Sequence, residues 1–492
     1  MRDKGDFVSR KTFLWSAGRP RIGDQPERPR WPHRVIPPMP HPSAQPQSAS
    51  ITPEQIAQRT GGSHARDIAD AVSSLVRAGV AQPGDRLPTV RSLAQELAVG
   101  TGVISEAWRI LANHGMIATA RRNGTIIKAN RAAQAGRYWQ VPATPGTLQL
   151  DLSTGTPDTA LLPPLGPVLH QLQADVTITS YIDSPVLDRL EAILTERWPF
   201  VPEEFTIVDG AMDALDRIVN ARVQLGDTVL VEDPTFPPLL DILELAGANI
   251  IGVPLDAEGP QLAAFTSGLG HNPRFCFIQP RAHNPTGTSL TAARAKELAD
   301  AIRLANTRML IVEDDHTGPV ADTNNVSLGA YFPDQTVRIQ SFSKSHGPDL
   351  RVAALAGAAD PIQAVIDRRR LGPSWTSRLV QHLLLAMLED PEVDALIQHA
   401  GAVYLDRRAA LCRDLALSGI GVSLGCGLNL WVPVHDEQRA TVALAAQGVG
   451  VAPGRPFCVE PQRHGPHIRV SIGEARGDLT DLAERIAQSA AV

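Results

Sequence analysis

At 492 residues the chain is too long for a single hydrophobic core and should divide into at least two folding units joined by a linker. With 43% hydrophobic and 20% charged residues it reads as globular, and no apolar run reaches the roughly eighteen residues of a bilayer-spanning helix. A net charge of −6 excludes a uniformly basic nucleic-acid coat. Cys276, Cys412, Cys426 and Cys458 lack paired metal-ligand spacing, so neither a metal site nor a disulfide framework is expected, and a reducing cytoplasm is the natural compartment.

Residues 1–50 are rich in proline and arginine (Arg28, Pro29, Arg30, Pro32, Pro37, Pro38) without periodicity, and they read as a disordered tail. From residue 51 the pattern changes. Ile68, Val72, Leu75 and Val76 recur at helical spacing, and Gly79 with Pro83-Gly84-Asp85 stops that helix. Pro88-Thr89 opens a second helix through Leu93 and Leu97, Gly100-Thr101-Gly102 is expected to turn, and Val103, Ile104, Ala107, Trp108 and Leu111 continue as a third helix to Gly115. Two helices joined by a short glycine turn form a helix-turn-helix. Residues 116–119 and 125–127, separated by Arg121-Arg122-Asn123-Gly124, then read as a hairpin, the wing of a module spanning 51–130. Between residues 63 and 128 eight basic residues face five acidic ones, so the module is locally positive at +3. Arg91, Arg121 and Arg122 are placed for phosphate contacts, whereas Thr101 and Ser105 are the only side-chain hydrogen-bonders at the start of the third helix before Glu106.

Residues 131–148 form a polar, proline-containing linker. From 149 to 492, strand-like runs (206–208, 229–231, 275–278, 309–312) alternate with helical stretches, which predicts an α/β domain on a mainly parallel sheet, with a smaller C-terminal subdomain from about 375. Chemistry-bearing residues punctuate it. Lys344 follows a predicted strand, with Ser341 and Ser343 before it and Arg351 seven positions later. Asp314 stands where an apolar strand ends, the place at which open α/β sheets bind ligands. Gly210-Ala211-Met212 joins a strand to a helix whose first N–H groups suit a phosphate. Phe236, Asn284 in an Asn-Pro-Thr-Gly turn, and Arg469 in an apolar strand complete the series. Taken singly these features have plain readings: a solvated lysine loop, a helix cap, a core aromatic, an ordinary turn, an arginine on a wet strand face. Their combination argues for one site.

The stretch 65–128, with Pro83-Gly84-Asp85-Arg86-Leu87-Pro88-Thr89-Val90-Arg91-Ser92-Leu93-Ala94 and Ala107-Trp108-Arg109, resembles the GntR superfamily of winged helix-turn-helix regulators. It departs from that family at the poorly donating start of its recognition helix. The segment Ser341-Phe342-Ser343-Lys344 through Arg351 resembles the Schiff-base loop of class I aminotransferases, a fold-type I architecture. That resemblance implies pyridoxal 5′-phosphate held by Lys344, its phosphate by Ser341, Ser343, Arg351 and the helix start at Gly210, Ala211 and Met212, its pyridine nitrogen by Asp314, and its ring face by Phe236. It further implies that Asn284 and His316, the latter replacing a usual tyrosine, serve the phenolic oxygen, and that Arg469 clamps a substrate carboxylate. Tyr181 matches the residue that reaches a partner subunit's cofactor, although Ile182 and Val186 replace expected glycines.

Fused in this order, the two parts resemble the MocR-type regulators. The resemblance implies a homodimer that binds double-stranded DNA and senses pyridoxal phosphate or an amino compound exchanged onto it at Lys344. An active class I/II aminotransferase, converting an amino acid to its 2-oxo acid and carrying a degenerate winged-helix appendage, remains the alternative.

Overall fold

The computed structural model describes residues 50–492 apart from 79, 83, 114–115, 121–123, 128–135, 138–147, 172–181 and 183. The expected tail, the wing-tip residues Arg121 and Arg122, and Tyr181 therefore lie outside the described residues.

In the N-terminal module, helices α1 (Pro53–Ala57), α2 (Ala65–Arg77), α3 (Val90–Glu96) and α4 (Thr101–Asn113) precede a hairpin of β1 (Ile117–Ala120) and β2 (Gly124–Ile127). The apolar spacing of α2 and α4 turns Ile68, Val72 and Leu75 of one against Ile104, Ala107, Trp108 and Leu111 of the other, with Leu93 of α3 and Ile117 and Ile127 of the hairpin completing a closed core. Thr89 caps α3, its Oγ1 accepting from Ser92 N at 3.1 Å. The turn differs from the sequence expectation. Ala98, at φ 53°, makes the reversal, and Thr101 and Gly102 already belong to α4.

The larger part begins with β3 (Leu150–Asp151) and helices α5 (Leu165–Gln171) and α6 (Asp188–Glu196). Its central sheet contains β4 (Glu204–Val208), β5 (Thr228–Asp233), β6 (Asn249–Asp256), β7 (Gly259–Pro260), β8 (Phe275–Ile278), β9 (Leu310–Asp315), β10 (Thr336–Ser341) and β11 (Ala353–Gly357). The order is β4-β11-β10-β9-β8-β5-β6-β7. The strands from β10 to β6 run parallel, while β11 is antiparallel to both its neighbours and β7 to β6. Helices α7 (Ala211–Arg222) and α8 (Pro237–Leu245) follow β4 and β5, so their N-termini stand where the parallel strands end. This is the mainly parallel α/β architecture expected, with one antiparallel strand inserted.

A smaller sheet joins β12 (Asn429–Pro433), β14 (Ala452–Pro453) and β15 (His467–Ser471), while β13 (Val449–Gly450) pairs with β3. Leu152, Leu190 and Leu194 share one core with Leu430, Ile468 and Val470. The segment after the linker is thus packed into the C-terminal subdomain. It continues past β15, where Ser471 N donates to Leu152 O at 3.0 Å, to reach Lys344 at Gly155 O.

The N-terminal module touches the α/β domain directly. Leu225, just after α7, is buried in the core of the winged-helix module, and Arg66 donates twice to its carbonyl (3.1 and 2.9 Å) and once to Asp227 Oδ1 (2.9 Å). Arg66 is about half exposed, so its ion pair contributes at most about 1 kcal/mol, whereas burying a leucine is worth about 1.5–3 kcal/mol. The apolar insertion dominates that contact.

Candidate functional site

The ends of β9, β10 and β15 and the starts of α7 and α8 bring most of the expected residues together. Lys344, just beyond β10, donates from Nζ to Gly155 O at 2.7 Å. Burial, with help from the Arg469 and Arg351 charges, lowers its amine to about 8. More of it is then unprotonated near neutrality than of a free lysine.

Asp314 and Asp315 end β9 but point their chemistry in opposite directions. Burial, reinforced by the neighbouring Asp315 charge, raises Asp314 to about 7. Its Oδ1 is buried with no hydrogen-bond donor among the described residues. Asp315 is buried too, yet Arg281 (2.9 and 2.7 Å), Arg338 (3.1 Å) and Gly318 N (3.1 Å) outweigh the desolvation and hold it at about 2. Gly318 is required there: at φ 61°, a Cβ would come 2.5 Å from Ser341 O.

Asp314, Phe236, Glu232 and Gln279 line one small cavity, with Phe236 at the N-cap of α8. Asn284 is fixed by Gln279, whose Oε1 accepts its N–H at 2.9 Å, and its Oδ1 accepts from Arg469 Nη1 at 3.3 Å, which keeps the amide nitrogen as its donor. Arg469 is buried on β15 rather than on a wet face, donating also to Ser153 O and lying 5.2 Å over the Phe457 ring. His316 follows Asp315. Burial and the Lys344 charge push it down to about 4, so it is neutral at physiological pH, and its Nδ1 is a buried nitrogen without a hydrogen-bond partner. A histidine whose charge varies near neutrality is therefore not what this pocket holds.

Gly210 caps α7 at φ 102°, and a Cβ there would sit 2.8 Å from Arg351 Nη2. The guanidinium of Arg351 thus lies beside the N-cap of a twelve-residue helix, donating to Asp209 O at 3.4 Å. Ser341 Oγ accepts from Ser343 N at 3.3 Å at the end of β10. Of the expected DNA-facing residues, Arg91 is exposed on the first turn of α3, and Thr101 and Ser105 are exposed one turn apart on α4. Ser105 Oγ donates to Thr101 O at 2.9 Å, which leaves it as an acceptor toward a base edge.

Supporting residues escaped the sequence reading. Arg338, fully buried, bridges Glu313 (2.8 Å) and Asp315, while Arg369 holds Asp213 (3.1 Å) and Thr376 (3.1 Å) behind the Gly210 turn. Glu232, raised well above its ordinary value by burial, and His283, lowered by burial to about 3, meet at 3.4 Å. The sequence signal for each was a charged residue inside an apolar strand or beside a turn, which says that it is paired without saying to what.

Residues 147–486 match the family described as aminotransferase class I and II, and residues 64–127 that of the bacterial regulatory proteins of the gntR family. Both parts align at once with the vitamin B6 salvage pathway transcriptional repressor PtsJ of Salmonella typhimurium, 34% identical over 83% of this chain and 95% of that protein. The chain belongs to the MocR-type family. A second relative of this MocR-type chain is the HTH-type pyridoxine biosynthesis transcriptional regulator PdxR of Corynebacterium glutamicum, 26% identical over 70% of the chain and 76% of that protein. The aminotransferase-like part of the MocR-type chain shares its fold with the α-aminoadipate aminotransferase LysN of Thermus thermophilus, solved with N-(5′-phosphopyridoxyl)-L-leucine (TM-score 0.63, 22% identity, 73% of this chain and 96% of that one).

Proposed function

We propose that this MocR-type chain is a pyridoxal-phosphate-dependent transcription regulator, in which occupancy of the pocket around Lys344 by an amino compound alters binding of the winged helix to double-stranded DNA in the cytoplasm. The residues fit the cofactor. Asp314 Oδ1 is a buried acceptor in need of a donor, Gly210 keeps open a cradle that a side chain would fill, and Lys344 is an amine with depressed basicity. When bound, pyridoxal phosphate supplies an aldehyde that condenses with primary amines and a ring that accepts negative charge. Asp314 would hold the ring nitrogen, Phe236 the ring face, Asn284 and the neutral His316 the phenolic oxygen. Ser341, Ser343, Arg351 and the α7 N-terminus would hold the phosphate. Arg469 would exchange Ser153 O for the carboxylate of an amino acid, a charge-assisted and bidentate gain.

The observation that carries the reading is that the same groups grip the segment leading back to the linker. Arg469 binds Ser153 O and Lys344 binds Gly155 O, and β3 just before them is the first strand after the linker. A ligand that takes over either side chain releases a contact on that segment. A second tie is independent: Arg137 of the linker donates to Asp241 (2.8 and 2.6 Å) and to Glu244 on α8, the helix that starts at Phe236. Borohydride reduction of the purified yellow protein should leave a phosphopyridoxyl group on Lys344; attachment elsewhere, or no cofactor uptake, contradicts the reading.

Transamination is the second reading, favoured by one observation: Arg469 lies close enough to Lys344 for its charge to lower the amine. Repeated release of 2-oxo acid from an amino acid panel would support it, and a single stoichiometric round would not.

A further inference from the structure

Outside the pocket, three potential ligands from distant parts of the chain converge. Asp233 ends β5, Cys458 follows the one-turn helix Arg455–Phe457, and His464 lies in the loop before β15. One ligand atom from each lies within 4.8 Å of the others. Asp233 and Cys458 are buried, while the His464 side chain is 18% exposed. The carboxylate of Asp233 accepts Val459 N (2.9 Å) and Glu460 N (3.3 Å), so the loop bearing the cysteine is fixed onto it. Gly252 on β6 clears the same place, since a Cβ there would come 2.8 Å from Asp233 Oδ2.

The geometry of the histidine is the informative part. His464 Nε2 stands 3.0 Å from Asp233 Oδ2, the distance of an ion pair, and the ligand atoms of both residues lie within 4.8 Å of that of Cys458. A cation can take the place of the proton such a pair shares, with the thiol at hand as a third ligand.

We propose that Asp233, Cys458 and His464 form a site for a divalent transition ion of the zinc type. Thiolate, imidazole and carboxylate suit a borderline-soft tetrahedral ion, and one thiolate with one carboxylate balances a double positive charge. The exposed side of His464 leaves the fourth position to water. On binding, the Cys458 S–H bond breaks, the proton leaves to solvent and the S–metal bond forms. The ion fastens the segment that carries Phe457, whose ring lies under Arg469 and whose carbonyl accepts Thr235 N at 2.8 Å next to Phe236. It therefore braces the back of the amine pocket.

The test uses the full chain stripped with a chelator and titrated with Co(II) alone. One Co(II) per chain should bind with an intense near-ultraviolet thiolate-to-metal band and tetrahedral visible bands. Cys458→Ser should abolish the near-ultraviolet band, and His464→Gln should weaken affinity at least about tenfold. Calorimetry of Zn(II) binding to the unmodified chain in buffers of different ionisation heat should show at least one proton released per ion near neutral pH, from the Cys458 thiol and from whatever fraction of His464 is protonated, a readout that needs no variant. A weak octahedral spectrum, a band that survives Cys458→Ser, unchanged affinity in His464→Gln, or the absence of proton release would each overturn the site.

Discussion

Adjacent carboxylates at the end of β9 titrate in opposite directions, and this separation decides what the pocket does with charge. Asp315, gripped by two arginines, is the fixed anion; Asp314 carries a proton until about pH 7 in the unliganded chain. Between pH 3.8, the ordinary value for the unfolded chain, and about 7, the folded protein binds a proton at Asp314 that the unfolded chain has released. The stability of the apo protein should therefore fall as pH rises across that window. Asp314→Asn should flatten this component in chemical denaturation, and an unchanged slope would refute the assignment. Removing the partner of a buried ion pair is costlier: Arg338→Met should destabilise the chain by about 3–5 kcal/mol, because Glu313 and Asp315 lose their shared cation. Gly210→Ala, at φ 102° and against Arg351, should cost about 1–3 kcal/mol and weaken cofactor retention measured by dialysis. Retention equal to wild type would remove Gly210 from the phosphate cradle.

The elements that carry these residues were legible to different degrees. The apolar run ending in Asp314 announced β9, because a strand buried on both faces needs such a run, whereas β10, Thr-Val-Arg-Ile-Gln-Ser, alternates and was marked by its β-branched residues. β11, with the sequence Ala-Ala-Leu-Ala-Gly, has no β-branched residue to mark it, and only its two neighbours make it a strand. The turn in the winged helix was misplaced because glycine at the first turn of a helix is tolerated, while an alanine at φ 53° leaves no trace in sequence. Individual site residues were readable from motif spacing, but the grip of Ser153, Gly155 and Arg137 on them was not, since carbonyl contacts and inter-element ion pairs have no periodicity. Two predictions belong at this scale. Arg91→Ala should lower the slope of log affinity against log salt by about 0.9, as one lost phosphate contact requires, with the cofactor spectrum unchanged. Arg137→Ala should keep the spectrum but blunt any effect of an amino compound on DNA affinity, and an undiminished effect would exclude α8 as a route.

For the whole molecule, Leu165 and Leu169 on α5 and Leu379 on the helix Arg378–Glu389 are exposed apolar side chains, a surface that a second copy of the chain would cover. We propose a homodimer. Light scattering should give twice the chain mass at micromolar concentration, and Leu169→Glu should shift it toward the monomer. Coupling between the pocket and the DNA face must be reciprocal: an amine that weakens DNA binding is itself bound less tightly by the DNA-loaded protein. Fluorescence anisotropy of the cofactor-loaded full chain on a duplex from its own upstream region, set against a random duplex and repeated with a panel of amino compounds, measures this coupling. We expect preference for the upstream duplex at physiological salt, and a change in affinity with at least one amine that disappears in Lys344→Ala. Equal affinity for both duplexes, or an amine effect that persists in Lys344→Ala, would contradict a regulator controlled through Lys344.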